Sequence, residues 1–442
     1  MWNLHDHVLG TSTPLWALLL ALTAKVGASL TVAAPGLALV FDGVSSFVLF
    51  ALLLHLRRTP GEAAGAAIVF LTFPDIFATS LSGMESSLFV LLCLVALLAT
   101  ARQHFVLSGG VAGAALICRP EAVFLVVAVV FYEVARGIPW RKVCEGVLAG
   151  CVVAGAWVTV ATIYYGSPIP QSVIAKSHLP SLYHLSTRNL VLTFVHGQYG
   201  GGLYARTWWS ASALLSFGCL VELTRMAKGA RHGSWRDREQ LRLFVVFPSL
   251  YVAGLGAVAA FTWFPWYYAP IYPFWLSLGF LGLTHSVRTS LRRVGRIKLT
   301  GGAEAVVAVA LIASFGAGLV LVKIPARKST YWTQGYTRLA AAIPRVARGS
   351  TAADEIGALG WSLYPRQVDD LVGLVTKQAV GTSHRDFLLR DRPRFIALRS
   401  DEAATLLSLL THDPQLSRLY RLRTSFRSPD GSAVAWDLFE RR

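Results

Sequence analysis

"SGMESSLFVLLCLVALLATARQHFVLSGGVAGAALICRPEA", Ser82 to Ala122, decides how this chain is built. Two apolar runs, 85–100 and 106–118, are separated by a turn carrying Arg102, with Glu85 at the far end of one and Arg119 and Glu121 at the far end of the other. A helix of about 20 apolar residues crosses a bilayer, so the stretch reads as a chain that crosses and returns. Glu85, Arg119 and Glu121 then share one side of the membrane, opposite Arg102. A charge beside hydrocarbon is costly unless it faces a cavity or a partner, which makes that side the place to look for function.

The same pattern repeats outward from this stretch. Of the 442 residues 54% are hydrophobic and only 15% charged, the composition of a polytopic membrane protein. Spans are expected at 35–56, 64–81, 85–100, 106–118, 121–135, 143–165, 208–226, 243–261, 266–285 and 303–322, about ten helices in all. Alternate loops are basic: Arg57 and Arg58, Arg102, Arg136 with Arg141 and Lys142, Arg225 to Arg242, and Arg288 to Lys298. That bias marks one side as cytoplasmic. The net charge of +17 is thus a topology signal and not the footprint of a nucleic-acid binder. The opposite loops, around Ser82–Ser87, Arg119–Glu121, Ser167–Thr207 and Thr262–Trp266, are poor in Lys and Arg for their length and face outward.

The five cysteines, Cys93, Cys118, Cys144, Cys151 and Cys219, lie in or at the edges of apolar spans without a CxxC pair, which supports neither a disulfide framework nor a zinc site. Leu4–Leu22 has no basic leader and no small-residue cleavage site, so it does not read as a signal peptide. Beyond Lys323 the composition turns polar and mixed in charge, as in a soluble domain. There "DEIGALGW" (354–361) and "RPRFIALRS" (392–400) suggest short strands, Asp401–Leu410 an amphipathic helix, and Arg421–Glu440 a hairpin turning at Pro429-Asp430-Gly431-Ser432.

Two outward loops stand out. In "YYGSPIPQSVIAKSHLP" (164–180), Pro168 and Pro170 exclude a helix through Ser167–Pro170, so the chain turns along the membrane surface. "FTWFPWYYAPIYPFW" (261–275) is dense in Trp and Tyr, which suit an interface where one ring edge stays wet. Glu85, Arg119, Glu121 and Lys176 all sit at outward helix ends and together can line one polar pocket. Arg119 and Lys176 would bind a phosphate there, and Glu85 would orient a sugar hydroxyl or a metal. The plainer reading is that Glu85 and Glu121 only favour helix N-termini, where the helix dipole welcomes an anion. Asp75 reads as structural, and Asp42 as packed against a polar neighbour. His5, Asp6 and His7 are too close in sequence to converge on one ion. Gly200-Gly201-Gly202 lacks the Lys and hydroxyl of a P-loop, and no Asp-x-Asp occurs, which argues against a soluble-type nucleotide-sugar transferase.

"WNLHDHVLGTSTPLW" (2–16), "SGMESSLF" (82–89), "CRPEA" (118–122), "YYGSPIPQSVIAKS" (164–177), "FPWYYAPIYP" (264–273) and "DEIGALGWSLYPRQVDDLVGLV" (354–375) follow one another as in the bacterial membrane glycosyltransferases of the GT-C fold. The resemblance is to the arabinofuranosyltransferase-like and mannosyltransferase-like branch, which uses polyprenyl-phosphate sugars. It covers nearly the whole chain; each motif is loose, and the ordered set is specific. The resemblance implies transfer of a sugar from a polyprenyl-phosphate donor to an envelope glycan or lipid on the external face of the bacterial cytoplasmic membrane. It implies Glu85 as a catalytic carboxylate, with Asp6, Arg119, Glu121, Gln171, Lys176, Trp266, Tyr267 and Tyr268 around the substrate. No cofactor is implied with certainty, and a divalent metal ion is left open. In the family a first helix and an Asp-Asp loop precede the segment ending at Trp16. The expected organisation is accordingly a remnant of that loop at 1–14, a transmembrane domain at 15–322 and an extracytoplasmic α/β domain at 323–442, with the principal Asp upstream of Met1. A transporter or flippase of lipid-linked intermediates also wants outward polar groups, and a non-catalytic relative acting in envelope assembly is a third reading.

Overall fold

The computed structural model describes residues 7–177, 203–258, 265–293, 302–321, 326–344, 349–401, 403–428 and 434–442. The chain divides into two compact units, one within Thr13–Trp157 and Ser181–Lys323, the other within Met1–Ser12, Val158–Pro180 and Ile324–Arg442.

The first unit is helical. Its elements are α1 (Pro14–Lys25), α2 (Leu30–His55), α3 (Pro60–Leu71), α4 (Pro74–Leu81), α5 (Ser86–Ala101), α6 (Phe105–Cys118), α7 (Val123–Ala135) and most of α8 (Trp140–Tyr165). After α9 (Gln171–Ser177), which belongs to the other unit, come α10 (Leu203–Arg231), α11 (Trp235–Leu241), α12 (Phe247–Val258), α13 (Tyr272–Arg293) and α14 (Ala303–Leu321). Among the described residues only α2 and α8 are by themselves long and apolar enough to cross a bilayer, or three spans if the bent pair α3 and α4 counts as one. The other expected spans fall below that length and composition among the described residues, some of them at breaks. The run 64–81 is cut before Pro74 and bends by 48°, because a proline cannot donate to the preceding turn. The run 121–135 opens in a 3-10 turn at Pro120–Ala122, and 243–261 carries a π turn at Arg242–Val246. Hydrocarbon is still the solvent this unit suits: Leu148 and Val152 on α8 are 65% and 64% exposed, faces that water would disfavour.

Small residues let the helices approach. A Cβ on Gly109 would lie 1.8 Å from the carbonyl oxygen of Gly146, and one on Gly113 2.5 Å from that of Gly150, so α6 and α8 meet through two facing Gly-x-x-x-Gly pairs. Gly218 meets Gly279 and Gly282 in the same way between α10 and α13. The basic turns gather at one end of the bundle. Arg58 donates to Glu222 and Gln240, Arg225 to Glu222 at 2.7 and 2.9 Å, and Arg242 to Glu239 at 3.1 Å. Arg288 pairs with Glu62 at 2.6 Å and with Glu304. Glu62 also closes a capping box with Thr59 that starts α3.

In the second unit α15 (Ala326–Ala342) precedes a five-stranded sheet of order β2-β1-β3-β5-β4. β1 (Thr351–Ala353), β2 (Val368–Asp370) and β3 (Phe395–Arg399) run parallel, while β5 (Ala435–Arg441) is antiparallel to β3 and to β4 (Tyr420–Arg427). The strand expected at 354–361 is mostly helix: Gly357–Leu363 forms α16, burying Leu359 and Leu363 at i and i+4, and the strand is the three residues before Asp354. The strand at 392–400 and the helix after Asp401 are present as β3 and Ala404–His412. β4 and β5 make the expected hairpin, whose turn residues 429–433 lie outside the described residues. Asp369-Asp370 closes β2 in a turn, where the Asp370 carboxylate accepts the N–H groups of Val372 and Val375 at 3.0 and 3.1 Å. Burial nevertheless pushes the Asp370 carboxyl above its usual range, against the pull of those donors.

Candidate functional site

Pro120 shapes the site first. It disfavours helical geometry in the residue before it, and Arg119 ends α6 in extended backbone, φ −152° and ψ 132°. Its guanidinium thereby turns onto the start of α5 instead of continuing along its own helix. Arg119 Nη1 lies 3.5 Å from Glu85 Oε1 and 3.5 Å from Ser86 Oγ, and donates to the Trp266 carbonyl at 3.2 Å. Nε and Nη2 face the two oxygens of Glu121, each at 3.4 Å. The Tyr267 and Phe89 rings flank the cation, 4.8 and 5.6 Å from Cζ to ring centre. The guanidinium is buried, with its side chain 4% exposed against 21% for Glu121.

Glu85 is the N-cap residue of α5, yet its side chain caps no N–H of that helix and faces Arg119 instead. The turn that delivers it depends on Gly83, at φ +68°, where a Cβ would also lie 3.0 Å from Ala34 Cβ. Trp16, from the "TSTPLW" segment, donates its indole N–H to the Gly83 carbonyl at 3.1 Å and fixes the turn from the other side. Two motifs far apart in sequence thus build one corner.

Two further buried carboxylates border this corner. Asp42 of α2 accepts from Ser80 and, at 3.1 Å, from Ser87 in the first turn of α5. Asp75, in the first turn of α4, accepts from Tyr272 Oη at 3.0 Å. Each keeps one buried oxygen, Oδ1, without a hydrogen bond. The sequence pairs Asp42 with a polar neighbour but leaves Asp75 and Tyr272 unconnected; the third tyrosine of "YYAPIY" is the available signal.

The structure therefore brings Glu85, Arg119, Glu121, Trp266 and Tyr267 together. Tyr268 is buried, 1% exposed, beside them in sequence. Gln171 belongs to the other unit, where its N–H donates to the Leu9 carbonyl at 2.7 Å and its side-chain amide to the Gly373 carbonyl at 3.4 Å. Lys176 lies on the same short helix, α9, its side chain outside the described residues, and Asp6 lies outside them altogether. Among the described residues no three His, Cys, Asp or Glu side chains are grouped to hold a metal ion.

The chemistry open to the cluster follows from its charges. One cation faces two carboxylates at 3.4 to 3.5 Å, longer than the roughly 2.7–2.9 Å of a strong charge-assisted bond. Such a pairing holds the carboxylates in place while leaving room for exchange. No protein-family model matches the chain, and neither does any curated protein. Solved structures do. ArnT from Cupriavidus metallidurans, bound to undecaprenyl phosphate and in the apo state, superposes with a TM-score of 0.53 in both cases, at 13% and 12% sequence identity. The match covers 93% of this chain and 86% of that one. At this identity the likeness shows the fold alone, and that fold is the GT-C fold of membrane glycosyltransferases.

Proposed function

We propose that this protein transfers a sugar from a polyprenyl-phosphate-linked donor to an envelope glycan or lipid acceptor on the outer face of the bacterial cytoplasmic membrane. The observation that carries the reading is the Arg119 cluster at the end of α5 and α6 opposite the basic turns. Along α5 alone, 16 residues at 1.5 Å rise separate Glu85 from Arg102 by about 24 Å. The positive-inside bias then sets Glu85 outward. The ArnT structure that shares the fold was bound to undecaprenyl phosphate, the same class of lipid. The arabinofuranosyl- and mannosyl-transferring branch remains the proposed family within the fold.

In this reading Glu121, the more exposed partner, holds the place of the donor phosphate on Arg119. When it swings out, the guanidinium takes the phosphate in its two-pronged grip. The acceptor oxygen attacks the anomeric carbon, the bond from that carbon to the phosphate oxygen breaks, and its electron pair leaves with the polyprenyl phosphate. Arg119 stabilises that charge. Glu85 orients the acceptor hydroxyl and takes its proton, while Trp266, Tyr267 and Tyr268 wall the sugar or lipid. Asp6, Gln171 and Lys176 are proposed as further substrate contacts, with 323–442 proposed as an extracytoplasmic domain, 15–322 as the transmembrane body and 1–14 as the loop segment.

The test is turnover of lipid-linked sugar by the full protein in proteoliposomes, with donors identified from lipid-linked sugars that accumulate in a deletion strain. Glu85→Ala should insert normally and lose transfer; wild-type turnover would remove Glu85 from the site. The bend of 48° between α3 and α4 favours a second reading, a transporter of lipid-linked intermediates, since broken helices line many transport pathways. Movement of labelled donor across the bilayer without glycoside formation would select it.

A further inference from the structure

A cleft lies at the other end of the bundle from Arg119, where the proposed transfer chemistry has no use for it. It is a groove of about 910 Å³ open along the outside of α6 and α8. Val106, Gly110, Ala114 and Val153 form its wall, and His104, Lys142 and Glu145 stand at its mouth. The glycines of α6 divide into two kinds. Gly109 and Gly113 are required by packing, because any side chain there would strike the backbone of α8. Gly110 is not: a Cβ at that position meets nothing within 4 Å. A mid-helix glycine costs about 1 kcal/mol relative to alanine, and no helix contact accounts for this one. Its effect is to keep the groove open.

The mouth is basic. Lys142 pairs with Glu145 at 2.7 Å, and Arg141 reaches the same carboxylate at 3.5 Å with its side chain 91% exposed. Arg102 ends α5 just before Gln103, which also lines the groove. Two cations thus share one acid, which leaves a positive surplus above an apolar channel. We propose that this groove holds an anionic phospholipid of the leaflet at the basic end, its headgroup at Lys142 and Arg141 and one acyl chain along Gly110 and Ala114. A zwitterionic lipid would fill the channel equally well but gain nothing at the mouth. Each basic residue near an anionic headgroup contributes about fivefold in affinity. The inference needs only a membrane-embedded bundle and stands apart from the transferase reading.

Native mass spectrometry of the full protein in detergent, titrated with phosphatidylglycerol and phosphatidylcholine of matched chains, tests it. Phosphatidylglycerol should bind at least fivefold more tightly. Gly110→Phe, which adds a ring into open space, should abolish the bound lipid while leaving undecaprenyl phosphate binding unchanged. Lys142→Glu, an exposed change that leaves the helix contacts intact, should remove the preference for phosphatidylglycerol by about fivefold or more. Equal affinity for the two lipids, or wild-type binding by a folded Gly110→Phe protein, would overturn the proposal. If Gly110→Phe does not fold, an unchanged preference in Lys142→Glu would overturn it alone.

Discussion

Two of the buried ionic clusters of the helical unit, around Arg58 at one end and Arg119 at the other, are built for opposite purposes. Around Arg58 the contacts are close: Glu222 accepts from both Arg58 and Arg225, and the Gln240 side-chain oxygen also accepts from the Arg58 guanidinium. Arg58 and Glu222 are 164 residues apart and both nearly inaccessible, so the cluster staples α2 to α10. Around Arg119 the contacts are longer, the partners are two carboxylates on either side of one cation, and one of them reaches solvent. Aromatic rings complete that shell. A closed network serves structure; a loose one with an exchangeable partner is suited to admit a ligand.

Substitutions can break this contrast. Arg58→Ala leaves Glu222 buried with less compensation and should cost about 3–5 kcal/mol, read as loss of folded protein in detergent. Gly83→Ala should act next, since a non-glycine residue in left-handed backbone costs about 1–2 kcal/mol and its Cβ also crowds Ala34. Its expected signature is reduced turnover from a misplaced Glu85, together with a lowered melting temperature. Glu121→Gln should cost less stability than Arg58→Ala, because Glu85 still faces the buried cation and Glu121 is the more exposed partner, and should tighten undecaprenyl phosphate binding by emptying its place on Arg119. A stability loss at Glu121 as large as that at Arg58 would erase the distinction between the clusters.

The smallest effect concerns the other unit. The folded-state pKa of Asp370 is raised above 3.8, so folding favours its protonated form. That contribution is fully present below the unfolded pKa and is lost as pH rises through the folded one. Asp370→Asn should flatten this part of the stability profile of the full chain. An unchanged pH slope would mean that the N–H groups of Val372 and Val375 already offset the burial.

Much of the acidic corner was legible because apolar runs and basic turns are local signals. The two runs 85–100 and 106–118, with Arg102 in the turn between them, cross and return and so set Glu85, Arg119 and Glu121 at one end, while the turn signals of Gly83 and Pro120 went unread. Which helices face one another is not local. Nothing near Arg58 specifies Glu222, and nothing near Asp75 specifies Tyr272, since each contact is chosen by the packing of the whole bundle. Breaks within spans were not legible where prolines and 3-10 or π turns cut apolar runs without changing their hydropathy, as at Phe73-Pro74. The first strand of the sheet escaped because three residues, Thr351–Ala353, are too few to show alternation, while the glycines after it suggested extended chain where α16 forms.

In the proposed function Arg119 is the seat of a lipid phosphate. Binding of undecaprenyl phosphate to the full protein in detergent, compared between wild type, Arg119→Lys and Glu121→Gln, tests this directly. Arg119→Lys should weaken binding by about tenfold or more, as the two-pronged grip becomes a point charge, and Glu121→Gln should strengthen it. Equal affinity in all three proteins would contradict it.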